Sequence, residues 1–238
     1  PAVLKTRRLG YDGKGQAVIR DQEDLERAWQ RLGDTKLILE AFVPVQTECS
    51  LVAVRGRVGE TRFWPLTRNV HDRGILTLSR PGGFGPALQS EAEVMMRRLM
   101  EHFDYRGVLT LEFFLHEGAL LVNEIAPRVH NSGHWTIDGS TCSQFENHIR
   151  AISGMPLGIT DLAQPSLMFN WIGEMPDRDR AMAIPGLHWH AYGKDARPGR
   201  KIGHATLTAG TQQDLMEKAD ELAAIAGGDF PALIQGLD

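Results

Sequence analysis

Two acidic residues sit where acids are costly. Glu112 lies inside the apolar run Leu109-Thr110-Leu111-Glu112-Phe113-Phe114, and Glu124 inside Leu120-Leu121-Val122-Asn123-Glu124-Ile125. A carboxylate in such a strand must be paired or must coordinate a cation. The two runs read as a hairpin, 108–115 and 120–125, turning around Glu117-Gly118. A two-residue turn would pair Glu112 with Asn123. A three-residue loop would set Glu112 opposite Glu124, on the same face. Two carboxylates and an amide oxygen make a hard-oxygen set suited to Mg²⁺, with nucleotide phosphates completing the shell. The competing reading gives each acid an arginine or water. Both acids and Asn123 occurring together favour the metal.

The segment after the second acid is dense in polar groups: Ala126-Pro127-Arg128-Val129-His130-Asn131-Ser132-Gly133-His134-Trp135. Arg128, His130 and Asn131 can bind an anion and hold a reacting carbonyl or carboxylate. A second basic segment, Lys194-Asp195-Ala196-Arg197-Pro198-Gly199-Arg200-Lys201, reads either as a solvated turn or as a phosphate contact.

Near the start, Lys5 precedes Gly10-Tyr11-Asp12-Gly13-Lys14-Gly15-Gln16. Backbone N–H groups of such a loop can cradle phosphate, with Lys5 and Lys14 supplying charge. It is not a Walker A loop, and taken alone it reads better as a hairpin turn. Leu39-Glu40-Ala41-Phe42-Val43, followed by Glu48, reads as an adenine pocket or, equally, as an edge strand with solvated acids.

The elements that must position these residues follow from periodicity. Residues 1–20 read as strand, loop, strand. A helix is expected over 21–32, capped by Asp21, stopped by Gly33, with Leu25, Ala28, Trp29 and Leu32 on one face. Strands are expected at 36–43 and 48–55, the latter pairing with 60–66. Residues 67–89 read as irregular, and Ser90-Glu91-Ala92-Glu93 as the capping box of a helix with an apolar stripe from Ala92 to Phe103. A helix over 141–153 is expected to turn Phe145, His148, Ile149 and Ile152 inward, with His148 packed or at the surface rather than a ligand. Short strands near 166–173, 187–192 and 201–208 precede a final helix near 211–226.

Composition sets wide bounds. The chain has 238 residues, a net charge of -4, 42% hydrophobic and 24% charged residues, which suits a globular protein and argues against a general nucleic-acid binder. No apolar run reaches a membrane span. Cys49 and Cys142 form no paired motif and read as free thiols of a reducing cytoplasm. The chain opens on a strand without Met, so it reads as a piece of a longer protein.

Taken together, Lys5 with the Gly10–Gln16 loop, Glu40–Val43 with Glu48, and Glu112 with Asn123-Glu124 are in ATP-grasp order. The 10–16 loop, residues 123–135 and Arg197-Pro198-Gly199-Arg200-Lys201-Ile202-Gly203-His204 resemble the N5-carboxyaminoimidazole ribonucleotide synthetase family over nearly the whole chain. The resemblance implies an α+β ATP-grasp fold, antiparallel sheets with flanking helices, plus a small C-terminal β-rich domain. It implies a small lobe at 1–56, a large lobe with the metal site at 57–160 and the C-terminal domain at 161–238. The family's N-terminal domain, which helps bind the ribonucleotide, is not in this chain.

The implied reaction carboxylates aminoimidazole ribonucleotide through carboxyphosphate, using ATP, Mg²⁺ and bicarbonate, in the cytoplasm and as a homodimer. By the same resemblance, Lys5, Gly10, Tyr11, Asp12, Gly13, Lys14, Gly15, Gln16, Glu40, Ala41, Phe42, Val43, Glu48, His71 and Asn123 contact ATP. Glu112 and Glu124 hold Mg²⁺. Arg128, His130 and Asn131 orient bicarbonate or carboxyphosphate. Tyr11, Asp12, Lys194, Arg200 and Lys201 face the ribonucleotide. The competing expectations are another ATP-grasp ligase, of the formate-dependent glycinamide ribonucleotide transformylase or biotin carboxylase type, and a non-catalytic nucleotide-binding fragment.

Overall fold

Three short strands and one helix form the first part of the chain. Strand β1 (Ala2–Thr6) pairs antiparallel with β2 (Gln16–Ile19) on one side and β3 (Leu37–Ala41) on the other. Helix α1 (Gln22–Leu32) lies between β2 and β3 in sequence and starts where expected. The Asp21 side chain accepts from the Asp24 N–H, and Gly33 ends the helix. Its packing is thinner than the periodicity suggested: Ala28 is buried, while Leu25 and Trp29 are exposed.

The computed structural model describes residues 1–8 and 14–237. The chain divides into two compact units, the first comprising residues 1–45 and 71–75, the second 46–70 and 76 onward. The domain divisions expected from the sequence fall after residues 56 and 160. Here β4 (Thr47–Arg55) belongs wholly to the large sheet, and so do the strands beyond residue 160.

Among the described residues that sheet has nine strands. In chain order they are β4, β5 (Thr61–Phe63), β6 (Thr67–Asp72), β7 (Ile75–Pro81), β8 (Gly107–His116), β9 (Ala119–Ala126), β10 (Ser166–Ile172), β11 (Leu187–Ala191) and β12 (Lys201–Thr208). In space they run β11-β12-β10-β7-β6-β4-β8-β9, with β5 paired to β4. The expected pairing of 48–55 with 60–66 is present, Arg55 opposite Thr61.

Period-two alternation explains how the sheet buries both faces. On β4 and β8, Cys49, Leu51, Ala53, Leu109, Leu111 and Phe113 pack with Ala92, Met96 and Met100 of α2 (Pro86–His102). Val52, Val54 and Val108 face the other way, onto Trp64, Trp135 and Ala151. A third cluster joins Phe169, Trp171 and Leu207 to α6 (Gln212–Ala226), with Ile234 of α7 (Phe230–Gln235) against it. Short helices α3 (Thr136–Gly139) and α5 (Arg178–Met182), and α4 (Gln144–Ser153), complete the unit. Among the described residues no helix is long and apolar enough to cross a membrane.

Three expectations are corrected. Residues 67–89 are not irregular: β6 and β7 lie side by side, joined through Arg73 and Gly74, both at positive φ (49° and 80°). Helix α2 starts at Pro86, one residue after its N-cap Gly85, so Ser90 is interior rather than a cap. Helix α4 buries its polar face. Gln144, Asn147 and Ala151 point inward, while Phe145, Ile149 and Ile152 are exposed. The two inward amides are retained because loops need them: Asn147 accepts from Gly158 N–H at 2.7 Å and donates to Gly158 O at 3.2 Å.

Candidate active site

The hairpin carrying the two acids turns in two residues, with His116 opposite Ala119. Glu117 and Gly118 both take positive φ (51° and 79°), which that tight turn requires. Such a turn alone would pair Glu112 with Asn123. Instead the register shifts between Glu112 and Phe113, so Val122 faces Phe113 and Glu124 faces Glu112. The bulge leaves Asn123 as the extra residue and restores the acids to one face. Ser50 of β4 lies directly opposite Glu112 on its other side. The row Ser50, Glu112, Glu124 therefore crosses three strands on one face. Asn69 stands opposite Glu48 one step along it.

Above that row the segment after β9 is tied down at nearly every polar atom. His130 Nε2 lies 2.9 Å from Glu112 Oε1. Its Nδ1 lies 2.8 Å from Ser132 Oγ and accepts from the Ser132 N–H at 3.3 Å. Ser50 Oγ–H donates to Ser132 Oγ at 2.7 Å, and Asn69 Nδ2 donates to Ser50 Oγ at 2.9 Å. Ser79 Oγ–H donates to Asn69 Oδ1 at 2.9 Å. Ser50, Asn69, Ser79 and Ser132 are all buried. Followed in the donor direction, this chain delivers the Ser132 hydroxyl proton to His130 Nδ1. The imidazole then carries its own proton on Nε2, directed at the Glu112 carboxylate.

Two amides lock the backbone of the same segment. Gln144 Oε1 accepts from His130 N–H at 2.9 Å, and its Nε2 donates to His130 O at 2.7 Å and His134 Nδ1 at 3.0 Å. Asn131 and Asn170 exchange reciprocal amide bonds at 3.0 and 2.7 Å. Both amide heteroatoms of Asn131 are thus engaged with β10. Arg128 differs: it is exposed, and Nη1 donates to the carbonyl of its neighbour Val129 at 3.0 Å.

The basic loop reaches this segment through Tyr192. Lys194 Nζ sits 5.1 Å over the Tyr192 ring, which makes a T-shaped pair with His134 at 6.4 Å between centroids. Arg200 is held by the Asp195 carbonyl at 3.3 Å, and Lys201 opens β12. Burial, then the charges of His130 and His190, pull His134 down to about 4. Tyr192 is pushed up to about 12 by burial.

In the first unit, Lys5 and Glu40 project from adjacent strands and pair at 2.6 Å. Lys14 and Gly15 lead into β2, with Thr6 N–H donating to Gly15 O at 2.8 Å. Gly15 has φ 77°, and a Cβ there would lie 2.6 Å from Thr6 Oγ1, so only glycine fits. Ala41 and Phe42 are exposed and Val43 half-buried. His71 is in the same unit. Gly10, Tyr11, Asp12 and Gly13 lie outside the described residues.

Sequence reasoning missed one group. On the large sheet, His188 and His190 alternate along β11, His204 stands opposite His190 on β12, and Asp138 of α3 approaches them. The His-Trp-His spacing was the available signal, since period two puts both imidazoles on one face.

Comparison with known proteins gives a consistent picture. The ATP-grasp domain model matches residues 1–145, and the phosphoribosylaminoimidazole carboxylase C-terminal domain matches 166–218. The N5-carboxyaminoimidazole ribonucleotide synthase of Pseudomonas aeruginosa is 53% identical over 225 residues, 94% of this chain and 62% of that one. The Vibrio cholerae enzyme of the same name is 44% identical over 98% of this chain and 64% of its own. Among solved structures, the N5-carboxyaminoimidazole ribonucleotide synthetase of Thermus thermophilus superposes with TM-score 0.90 at 50% identity, covering 96% of this chain and 62% of that one. The Aspergillus clavatus synthase, solved with ADP and 5-aminoimidazole ribonucleotide, superposes with TM-score 0.86 at 32% identity, covering 95% and 62%. The chain thus spans somewhat under two thirds of the length of these relatives.

Proposed function

Because the chain belongs to the ATP-grasp family, in the branch of the N5-carboxyaminoimidazole ribonucleotide synthases, we propose that it supplies the ATP-binding and C-terminal parts of an ATP-dependent carbon–nitrogen ligase. The reaction transfers the γ-phosphoryl group of ATP to bicarbonate, releasing ADP and forming carboxyphosphate. The exocyclic amine of 5-aminoimidazole ribonucleotide then takes the carboxyl group, phosphate leaves, and the amine loses a proton. The product is N5-carboxyaminoimidazole ribonucleotide, an intermediate of purine biosynthesis. The cytoplasm is its proposed location, consistent with two buried free thiols, and a homodimer its proposed assembly.

The observation that carries this reading is the bulge that sets Glu112 opposite Glu124. Two carboxylates in register, with Asn123 beside them, fit a hard divalent cation such as Mg²⁺. When bound, that cation would neutralise charge on the nucleotide phosphates. The chain's own residues do the rest. Lys5, Lys14, Gly15, Gln16, Glu40, Ala41, Phe42, Val43, Glu48, His71 and Asn123 are assigned to ATP, together with Gly10–Gly13 of the glycine loop. Arg128, exposed and able to present a planar fork, is assigned to carboxyphosphate. His130 has both ring nitrogens engaged, so it orients Glu112 by donating Nε2–H to the carboxylate. Asn131, clasped by Asn170, fixes the path of the backbone between Arg128 and His134. Lys194, Arg200 and Lys201, with Tyr11 and Asp12, are assigned to the ribonucleotide and its phosphate.

The direct test is ADP release measured with bicarbonate and 5-aminoimidazole ribonucleotide added singly and together, using the complete protein that contains this chain. Release that depends on both supports the reading. ADP release indifferent to the ribonucleotide points to a different ATP-grasp ligase.

A further inference from the structure

The histidine group on β11 and β12 lies apart from the acids of β8 and β9, and the proposed reaction leaves it without a role. Among the described residues, Asp138, His190 and His204 each offer a ligand atom within 4.8 Å of the others. His190 Nε2 bonds Asp138 Oδ2 at 2.8 Å, and His188 Nδ1 stands 3.6 Å from Asp138 Oδ1. The His190 and His204 rings stack at 4.3 Å with planes 12° apart.

A second observation points to a ligand. His204 is only 2% exposed, and its Nε2 has no hydrogen-bond partner among the described residues. A buried nitrogen left without a partner is destabilising unless a ligand engages it. Its other nitrogen, Nδ1, is held by the Tyr192 hydroxyl at 2.8 Å. With the phenol oxygen accepting a hydrogen bond from Nδ1–H, the tautomer is fixed and the Nε2 lone pair is left for an ion, as with partners of metal-bound histidines.

We propose that Asp138, His190 and His204 form a site for a borderline divalent cation of the Zn²⁺ class, with His188 as a further donor. Two or three imidazoles and one carboxylate match Zn²⁺, Co²⁺ or Ni²⁺, whereas Mg²⁺ prefers an all-oxygen shell. The site is therefore selective against the cation proposed for Glu112 and Glu124. Binding is not free of rearrangement. Imidazole lone pairs lie in the ring plane, and two parallel rings cannot both aim at one ion. The His190 side chain, 28% exposed, must exchange its bond to Asp138 for the ion and swing toward His204. Tetrahedral Zn²⁺ with bonds of about 2.0–2.2 Å would draw the ligand atoms closer together. An ion here would tie α3, which follows the Arg128–His134 segment, to the edge strand β11 and its neighbour β12, a structural role independent of turnover.

The test uses Co²⁺ as a spectroscopic probe and Zn²⁺ as competitor on the metal-stripped protein. The expected result is stoichiometric Co²⁺ with the intense visible absorption of a tetrahedral site, displaced by Zn²⁺ and accompanied by a rise in Tm. His190→Gln, at the exposed end of the group, should abolish it. Tyr192→Phe should weaken it by about tenfold, the usual effect of losing a partner of a metal-bound imidazole. Glu124→Gln should leave it intact. No stoichiometric binding overturns the proposal. So does binding that survives His190→Gln, or binding lost in Glu124→Gln, which would place the ion on β8 and β9. The assay reads binding alone, so failure of the ligase reading would not affect it.

Discussion

In the Glu112–His130 pair both ring nitrogens have partners, whereas in the Asp138–His190–His204 group one buried nitrogen has none among the described residues. Both groups lie on the same large sheet, and both join a carboxylate to an imidazole at hydrogen-bond distance. The first is backed by serines and amides that direct protons along one line. The second is backed by a phenol and by another imidazole ring. The difference teaches how a fold sorts chemistry. Where every nitrogen is satisfied, the ligands a cation would find are carboxylate oxygens, which suit a hard ion. Where a nitrogen is orphaned, nitrogen is the vacant donor.

The largest expected effect falls on the acids. Glu124→Gln replaces a charged oxygen ligand with a weaker neutral one while keeping the strand. Mg²⁺-dependent ADP release should fall by about two to three orders of magnitude, equivalent to roughly 3–4 kcal/mol. Normal turnover at limiting Mg²⁺ would remove Glu124 from the metal site and erase the contrast between the two groups.

Arg128→Lys comes next. It keeps the charge but loses the two-pronged donor. Bicarbonate-dependent ADP release should drop by about one to two orders of magnitude with ATP affinity little changed. A loss accounted for wholly by weaker ATP binding would move Arg128 out of the carboxylation step.

Ser132→Ala probes the proton line itself. It strips the Ser50 hydroxyl of its acceptor and His130 Nδ1 of its closest partner. Unfolding by denaturant should show a loss of about 1–3 kcal/mol, the cost of buried groups left unsatisfied. Unchanged stability would mean the chain from Ser79 to Glu112 is not cooperative.

The smallest effect concerns pH and the second group. Burial, then the neighbouring His134 and His190, pulls His204 down to about 3, and His134 is likewise held near 4, against an ordinary value of 6.5. Folded values below unfolded ones mean the folded state favours the neutral rings. Their contribution to stability is full above pH 6.5 and is lost as pH falls from there toward 4, because the unfolded chain takes up protons that the folded chain excludes. Denaturant midpoints measured in chelator should therefore decline between about pH 7 and 5. His134→Gln should flatten that decline. An equally steep decline in the variant would place its origin elsewhere, as would a flat profile in the parent protein.

Much of this was legible in the residue order, and what was not has identifiable causes. The Asp21 cap, the hairpin around Glu117-Gly118 and strands β10 to β12 follow from local chemistry, which sequence carries directly. The facing of Glu112 and Glu124 came out as wanted but for another reason. Turn length alone set the wrong partner, and a bulge at Asn123, invisible to a period-two pattern, restored it. The turn through Arg73 and Gly74 was missed because arginine at positive φ is an unusual turn residue. Helix α4 faces opposite to its apolar periodicity. Gln144 is buried because the backbone at His130 needs both its atoms, and that demand comes from residues 14 positions away. The histidine group was overlooked for the same reason, since its members are brought together only by the pairing of β11 with β12.

The central claim is that Glu112 and Glu124 hold the cation that accompanies the nucleotide. Calorimetric titration of ADP into the protein, with Mg²⁺ and then with chelator, tests it without requiring turnover. The expected result is that Mg²⁺ strengthens ADP binding in the parent protein and has no effect on ADP binding in Glu124→Gln. Equal strengthening by Mg²⁺ in both proteins would contradict the claim.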